Sequence, residues 1–346
     1  MITAAIDPLS DGQWMKFISS QAEANIRYHP AWLRVISGQY NIAPQAFCSY
    51  KNGIIVSGFI FMVSRGMTGN KFAVTASSSD SNLFLGSENN QDELLHDFLK
   101  HLKQLKISRV EFRDNINSTS LFSLLMGYSH SLNINAGIGA IGGSSSSKPV
   151  ARNIRKAENA GLICEIRDDL NSLEEFYALH VKTRKKLGMP VQSRNFFVKY
   201  RDEIIKAGMG YIVLVKKDNI TLSAGLFAGY NSTLSYKFGA SHPDLLQYRP
   251  NNLMLWGALL EAQKRGFGKF DMGRTEHTND GLRRFKMGWG CSETPVRFSY
   301  YPGEPKSRFL QKANILFVHP VIRISPEYVC RIAGKLVYKL FPLQFV

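Results

Sequence analysis

The pattern of apolar and polar positions is most regular between residues 211 and 301. Three short apolar runs come first, followed by a helical pattern, another short run, a compact basic segment and a last run. The predicted elements are strands 211–217, 222–230 and 233–241, helix 251–265, strand 269–273, a short helical segment at 282–289 and strand 296–301. This order predicts a mixed sheet with one long crossover. Sheets of this kind bind ligands at the carboxyl ends of the strands that flank the crossover.

A similar order of elements comes before residue 143. The pattern predicts strands 45–50, 53–65, 70–77 and 109–113, helix 92–106, a short helix at 119–126 and a last strand at 132–137. The long helix carries its leucines and a phenylalanine at spacings that place them on one face. The two halves therefore repeat one architecture, a prediction that depends on element order because they share little sequence.

A run of glycines and serines from Gly142 to Ser147, followed by Lys148 and Pro149, marks a linker. We therefore divide the chain into a first domain (1–143), a linker (144–152), a second domain (153–303) and a tail (304–346). The second domain opens with helix 153–160, strand 162–167 and helices 173–187 and 195–207. Asn171 or Ser172 is expected to cap the third of these elements.

The tail has a helical pattern of its own. Ser325, Pro326 and Glu327 form a typical helix start. Apolar residues then follow at spacings of three and four, with basic residues beside them. The apolar positions are Val329, Ile332, Ala333, Leu336, Val337 and Leu340, and the basic ones are Arg331, Lys335 and Lys339. Two interpretations stay open: residues 325–341 pack on the protein body, or they lie on an anionic membrane surface.

Charge and cysteine content narrow the class of protein. The chain of 346 residues has a net charge of +16, and residues 151–300 carry 24 basic against 15 acidic side chains. This excess predicts anionic partners for the second half. The four cysteines are widely separated, which argues against a disulfide scaffold and structural zinc. Residues 1–10 do not resemble an export signal and no long apolar run is present, so we expect a cytoplasmic protein.

Candidate binding residues lie before the crossover helix and at the end of the strand that follows it. Arg249 precedes the helix, and its side chain together with the Asn251 and Asn252 amides could hold a phosphate at the helix N-terminus. Asp271 and Arg274 flank the end of the next strand, where the arginine could grip a carboxylate or phosphate. The alternatives are that Asn251 only caps the helix, that Arg249 is solvated, and that Asp271 and Arg274 pair with each other.

Candidate catalytic groups come from the neighbouring helix and strand. His180 shares a helix face with Thr183 and Arg184 and would suit general base work, although a lone helical histidine is more often packed. Tyr236 and Lys237 point to opposite faces of one strand, so at most one of them lines the cleft. The order of Ser, Cys, His and Asp residues does not indicate a covalent acyl-enzyme, which favours direct transfer in a ternary complex.

Several stretches resemble the FemAB-related group of GNAT acyltransferases, whose genes often accompany bacterial exopolysaccharide or exosortase systems. The stretches are RNIRKAENAGL at 152–162, FYALHVKTRKKLGMPVQSRNFF at 176–197, YKFGASHPDLLQYRPNNLMLWGALLEAQKRGFGKFDMGRT at 236–275 and GLRRFKMGWG at 281–290, with YHPAWL at 28–33 and VEFRDN at 110–115 in the first half. The resemblance implies an α/β fold with a mixed sheet. It implies two tandem GNAT-like domains followed by a C-terminal amphipathic helix.

The same resemblance implies an acyltransferase. It would move an N-acyl or aminoacyl group to a cell-envelope or exopolysaccharide precursor, in the cytoplasm or peripherally at the inner membrane face. The donor would be aminoacyl-tRNA or acyl-CoA, with no tightly bound cofactor and no metal. The alternatives are an acyl-CoA-dependent GNAT N-acetyltransferase acting on a sugar or amine, and a non-catalytic scaffold of a polysaccharide-assembly complex.

Two details of the resemblance concern single residues. Ordinary GNAT enzymes cradle the coenzyme A pyrophosphate with an R/QxxGxG/A loop, whereas residues 248–252 here read YRPNN, without glycine. Lys286 matches a lysine that FemAB-like enzymes place near the acceptor, where it could stabilise an oxyanion; alternatively it is a surface lysine. The predicted catalytic residues are Lys286, His180 and Asp271, and the predicted substrate-binding residues are Arg184, Tyr236, Arg249, Asn251, Asn252 and Arg274.

Overall fold

The computed structural model describes residues 2–40, 42–65, 70–75, 83–86, 91–114, 116, 118–135, 137–138, 148–305 and 320–340. The first part of the chain forms seven strands and three helices in these residues. They are β1 (Ile2–Ile6), α1 (Gly12–Ser19), α2 (Pro30–Tyr40), β2 (Pro44–Lys51), β3 (Ile54–Arg65), β4 (Lys71–Thr75), β5 (Leu85–Gly86), α3 (Gln91–Gln104), β6 (Val110–Phe112) and β7 (Phe122–Asn133).

The second part of the chain begins inside the predicted linker, since its first helix starts at Lys148. Its elements are α4 (Lys148–Asn159), β8 (Ile163–Arg167), α5 (Leu170–Lys186), α6 (Arg194–Tyr200) with a π-helical turn (Arg201–Ile205), β9 (Gly210–Lys217), β10 (Ile220–Tyr230), β11 (Thr233–Ser241), α7 (Pro250–Lys264), β12 (Lys269–Thr275), α8 (Asp280–Met287), β13 (Ser292–Tyr301) and α9 (Glu327–Leu340). Most of these match the predicted elements closely. The α5 cap is Asp169, whose Oδ1 accepts from the Ser172 N–H at 2.9 Å, so the prediction of Asn171 or Ser172 was wrong. The predicted linker residues 144–147 lie outside the described residues.

All thirteen strands join one mixed sheet. Its order is β1-β2-β3-β4-β6-β13-β7-β12-β11-β10-β9-β8, with β5 paired to β3. The two halves exchange their last strands, because β13 pairs with β6 and β7 pairs with β12. We call β1–β6 with β13 and α1–α3 the first lobe, and β7–β12 with α4–α8 the second lobe. This exchange makes the lobes one continuous body.

Strand β7 replaces the predicted helix 119–126 and the predicted strand 132–137. Phe122, Leu124 and Met126 pack beside Phe298 and its neighbours on β13. Their spacing suits a strand as well as a short helix, so periodicity alone does not separate the two. The prediction was wrong because the pairing partners, β12 and β13, are distant in sequence.

Strands β11 and β12 run parallel but pair over only three positions. The register begins at Thr233 opposite Lys269 and ends at Ser235 opposite Asp271. Beyond that point β11 continues to Ser241 and β12 to Thr275, so the strands diverge. We call the opening between residues 236–241 and 272–275 the β11–β12 groove. It lies at the carboxyl ends of two strands that flank α7, where the sequence predicts a site.

Two apolar cores cover the second lobe. One lies under α5 and α6 and continues into the first lobe beneath α1 and α2. The other lies on the opposite face of the sheet, under α4 and α7. A third core, beneath α3, belongs to the first lobe. Because the first core spans both lobes, residues of α2 are held against the strands that line the groove.

Candidate functional site

The vertex of the β11–β12 groove is built around Asp271. Its side chain is 2% exposed, and Oδ2 accepts hydrogen bonds from Arg27 Nη2 at 3.1 Å and Ser235 Oγ at 3.2 Å. Oδ1 accepts from the Gly273 N–H at 2.7 Å. Arg27 belongs to a short 3₁₀ turn of the first lobe, so both lobes contribute to the vertex. These donors fix the orientation of the carboxylate at the vertex.

Lys237 lies beside this ion pair, on the β11 side of the groove. Its Nζ is 3.9 Å from the centroid of the Trp32 ring on α2, and the residue is half-buried. Burial holds the pKa of Lys237 well below its ordinary value, Arg27 lowers it further, and Asp271 acts in the opposite direction. A lysine whose pKa is lowered in this way offers an amine that can accept a proton.

Tyr236 points to the other face of β11, as the alternation along the strand predicts. Its ring stacks on Phe227 with centroids 5.1 Å apart, within the core under α7. Of the two neighbours, Lys237 therefore faces the contact between the lobes. The sequence does not predict that Lys237 lies near Asp271, because the two residues belong to different strands.

Arg274 follows Gly273 near the end of β12. The φ of +71° at Gly273 marks a local irregularity in the strand. The Arg274 guanidinium lies 5.0 Å from the centroid of Phe298, and the guanidinium of Arg113 lies 5.9 Å from the same ring. Desolvation and the charge of Arg113 lower the pKa of Arg274, although a guanidinium stays charged at neutral pH. Arg113 pairs with Glu111 at 2.9 Å, so a bound anion here would be held mainly by Arg274. Asp271 pairs with Arg27, so the predicted alternative of an Asp271–Arg274 pair was wrong.

Lys286 on α8 stabilises the same end of β12 through hydrogen bonds to its backbone. It is 5% exposed, and its ammonium donates to the Gly273 carbonyl at 2.7 Å and the Arg274 carbonyl at 3.4 Å. Lys286 therefore fixes the irregular turn from which Arg274 projects. The alternative of a surface lysine was wrong.

A charged network lies next to Lys286, where the exchanged strands meet. His130 on β7 is fully buried, and its Nε2 is 2.9 Å from Glu293 Oε2 on β13. Arg283 on α8 donates two hydrogen bonds to Glu293, at 3.0 and 2.7 Å. Burial and the charge of Lys286 lower the pKa of His130. The sequence did not point to this network, because its members depend on the strand exchange.

Two predicted residues of α5 contact other elements than the groove: His180 is buried in the core, and Arg184 is half-buried at the contact with α9. His180 Nε2 is 2.9 Å from Gln192 Oε1, and its ring stacks on Phe176 with centroids 5.4 Å apart. Burial, with a smaller effect from Arg184, lowers the pKa of His180 to about 3, so the ring is neutral. Arg184 donates to the Pro190 carbonyl at 2.9 Å and the Tyr338 hydroxyl at 3.2 Å, which joins α5 to α9.

The start of α7 carries the other predicted anion site. Arg249 is exposed, adopts a left-handed conformation with φ of +61°, and makes no side-chain cap to α7. Asn251 Oδ1 accepts from Ser223 Oγ at 2.6 Å, which ties the helix to β10, and Asn252 is buried. The structure thus brings Asp271, Arg274 and Lys286 to one strand end, and places Arg249 at the helix start after β11.

Comparison with known proteins agrees with this architecture. Residues 144–287 match the acetyltransferase (GNAT) domain family. The lipid II:glycine glycyltransferase of Staphylococcus aureus strain USA300 is 25% identical over 179 residues, which cover 47% of this chain and 42% of that protein. The enzyme of the same name from Staphylococcus haemolyticus is 30% identical over 122 residues, 33% of this chain and 29% of that protein. The chain thus matches less than half the length of these relatives.

Solved structures show the same fold over most of the chain. FemX superposes with a TM-score of 0.68 at 14% identity, covering 86% of this chain and 97% of FemX. L-PGS from Bacillus licheniformis gives 0.58 at 10% identity, covering 91% and 98%. A tandem GNAT protein from the clavulanic acid pathway gives 0.54 at 9% identity, covering 88% and 99%. The predicted tandem GNAT fold and the resemblance to FemAB-related proteins are confirmed. Among the residues described, none of the helices is long and apolar enough to cross a bilayer.

Proposed function

We propose that this chain, a FemAB-related protein of the GNAT superfamily, transfers an acyl or aminoacyl group to an amine or hydroxyl of a cell-envelope precursor. The observation that carries the proposal is the β11–β12 groove with Lys237 on one strand, Arg274 on the other and Asp271 at its vertex. Where two parallel strands diverge, backbone groups that no longer pair between them are free to bind a donor in an extended conformation. Arg274 would bind the anionic part of the donor, and Lys237 would lie beside the reacting groups.

The proposed chemistry is direct transfer. The nucleophilic nitrogen or oxygen of the acceptor bonds to the acyl carbon, and the bond from that carbon to the donor oxygen or sulfur breaks. Lys237, as a neutral amine, accepts the proton that the acceptor loses and returns it to the leaving group. Trp32 holds the Lys237 side chain in place and Arg27 keeps Asp271 oriented beside it, while Lys286 keeps the end of β12 in the shape that orients Arg274. Such positioning supplies much of the rate enhancement in direct transfer reactions.

Aminoacyl-tRNA is the donor that the start of α7 favours over acyl-CoA. A coenzyme A pyrophosphate needs several free N–H groups at a helix start. Here Pro250 offers no N–H group, and Arg249 adopts a left-handed conformation without glycine around it. Helix α4, which packs against α7, exposes Arg152, Arg155 and Lys156, and these cations suit the phosphates of tRNA.

The proposed acceptor is a precursor of the cell envelope or of an exopolysaccharide, used at the inner membrane face. The names of the relatives support this class. The Staphylococcus aureus protein is named for transfer of glycine to lipid II, and the GNAT family match at residues 144–287 includes the groove. For this chain we propose the same class of reaction, transfer to an envelope precursor, without assigning lipid II as the acceptor.

To test the proposal, the purified chain is incubated with lipid-linked precursors in detergent. The donor is either a radiolabelled aminoacyl-tRNA pool or radiolabelled acetyl-CoA. We expect label to pass from tRNA to the precursor. Replacing Arg274 with alanine should lower turnover at least about tenfold, which is about 1.4 kcal/mol of barrier. Arg284→Ala is the matched control, since Arg284 is exposed on α8. Transfer from acetyl-CoA alone would favour the acetyltransferase, and no transfer from either donor would favour the scaffold.

A further inference from the structure

The outer side of α9 and of the short helical segment before it is apolar and exposed. Among the described residues, sixteen large apolar side chains are exposed, and five of them fall between residues 321 and 336. They are Val321 (57% exposed), Ile324 (85%), Tyr328 (65%), Ile332 (59%) and Leu336 (56%). Scattered exposed apolar residues are normal on soluble proteins, whereas a contiguous group of this kind marks an interaction surface. We call these five residues the α9 outer face.

The opposite side of α9 is packed firmly, so the exposure of the outer face is a property of the folded chain. Cys330 is fully buried and Tyr338 is 1% exposed. The Tyr338 hydroxyl contacts Arg184 at 3.2 Å, and its ring lies 5.8 Å from that of Tyr40 in the first lobe. Gly334 packs so closely that an added Cβ would lie 2.0 Å from the Val191 carbonyl oxygen. The prediction that α9 packs on the body is thus confirmed.

This packing divides the apolar stripe that the sequence predicts. Cys330, Gly334 and Tyr338 form the packed side, whereas Ile332 and Leu336 of the predicted stripe face outward. The side chain of Leu340 lies outside the described residues. The helix therefore has a packed side and an exposed side, and the membrane interpretation stays open for the exposed side.

Positive charge accompanies the outer face. Arg323, Arg331 and Lys335 are exposed, and Glu327 is the one acidic residue between positions 320 and 340. On a helix, Arg331 and Lys335 lie next to Tyr328 and Ile332, so cations run along one edge of the apolar surface. An apolar helix face with a tyrosine and a basic edge has the composition of helices that lie in the interface of an anionic bilayer.

We propose that the α9 outer face docks on a bilayer of anionic lipids. The five apolar side chains enter the boundary between headgroups and acyl chains, and Arg323 and Lys335 bind the lipid phosphates. Arg331 stays at the edge of the surface, paired with Glu327 at 4.0 Å and 5.4 Å from the centroid of the Tyr177 ring. A partner protein is a poorer fit, because the outer face is the convex surface of α9 and of the helical segment before it. The inference adds a membrane contact to the proposed function and does not depend on the transfer chemistry.

A chain of contacts joins this surface to the groove. Arg184 ties α9 to α5, and Thr183 on α5 both donates to the Ser241 carbonyl at 3.1 Å and accepts from the Ser241 N–H at 3.0 Å. Ser241 is the last residue of β11, which forms one wall of the groove. Docking of α9 would therefore fix the groove relative to the bilayer surface, where a lipid-linked acceptor is presented.

The experiment measures co-sedimentation of the full chain with phosphatidylcholine vesicles that contain or lack phosphatidylglycerol. The test variant is Ile324→Ser/Ile332→Ser/Leu336→Ser. The matched control is Ile54→Ser/Ile163→Ser/Ile220→Ser, whose residues are 65%, 64% and 55% exposed on other elements. We expect binding to the anionic vesicles that weakens with salt, a loss of at least about tenfold in the test variant, and wild-type binding in the control.

The proposal would be overturned if the wild-type chain did not bind anionic vesicles at low salt. It would also be overturned by wild-type binding of the test variant, or by an equal loss of binding in both triple variants. A test variant that changes self-association without changing vesicle binding would assign the face to a second copy of the chain and would also overturn it. Thermal melts of both variants establish that they fold. Transfer to a water-soluble acceptor analogue, measured without vesicles, tests the proposed function separately.

Discussion

Arg27 and Asp271 stand 244 residues apart and meet in an ion pair of 3.1 Å at the vertex of the β11–β12 groove. The arginine belongs to a turn of the first lobe, and the carboxylate to a strand of the second. The groove is therefore completed only when both lobes are assembled. The exchanged strands β7 and β13 hold the lobes in the arrangement that this contact requires.

Replacing Arg27 with alanine should destabilise the protein by about 3 kcal/mol, because it removes an ion pair of a buried carboxylate. Arg34→Ala is the matched control. It removes a pair of similar geometry between the same lobes, Arg34 with Glu203 at 2.6 Å, but both side chains are at least a third exposed. That loss should be at most about 1 kcal/mol. Urea denaturation of both variants checks the difference, and equal losses would contradict a buried vertex.

Lys237→Met should make stability less dependent on pH and should abolish turnover. The folded state lowers the pKa of Lys237, so between the folded and unfolded pKa values the unfolded chain binds more protons. The contribution of Lys237 to the free energy of unfolding therefore rises with pH through that window and is lowest below the folded pKa. The methionine variant should be more stable than the wild type at neutral pH, by removing the cost of a buried cation, and should lack turnover.

Denaturation and turnover measured from neutral to alkaline pH check this prediction. Lys182→Met is a suitable control, since Lys182 is exposed on α5. Wild-type turnover should rise as Lys237 loses its proton. A methionine variant that keeps full turnover would remove Lys237 as the base, whatever its effect on stability.

Lys286→Met should change both the end of β12 and the buried histidine beside it. Two carbonyls, of Gly273 and Arg274, lose their donor, and an unsatisfied buried acceptor costs about 1–3 kcal/mol. The charge of Lys286 lowers the pKa of His130, so the variant should show a higher His130 pKa in an NMR titration. Arg284→Ala on the same helix should leave that pKa unchanged. An unmoved pKa with lost activity would point to a direct role of Lys286 in transfer.

Gly334→Leu should loosen α9 from the body. A Cβ at this position meets the Val191 backbone at 2.0 Å, and a backbone atom cannot rotate away as a side chain can. We expect faster hydrogen exchange across Glu327–Leu340 and earlier proteolysis there, with little change in β9–β11. Gly281→Ala is the control, because its nearest neighbour would be 3.9 Å away. Unchanged exchange in the leucine variant would contradict the close packing of α9.

Some residues of the site lie where the sequence predicts them, and others do not. Asp271 and Arg274 were expected at a strand end beside the crossover helix, and they are there, because a short apolar run between a helix and a polar loop predicts a strand locally. The partner of Asp271 was not expected, since Arg27 lies in a turn with no local signal. His180 was expected to serve the site, yet its ring faces a core that forms only when α5 packs on the sheet.

The sequence by itself determined the elements of the second half, the start of α9 and the cationic character of the site. Each of these depends on residues within one helical turn or one strand of each other. Tertiary structure decided the exchange of β7 and β13, the choice of Lys237 over Tyr236 at the lobe contact, and which side of α9 stays exposed. Those outcomes depend on pairings between distant segments, and a local pattern of apolar and polar residues fits more than one such pairing.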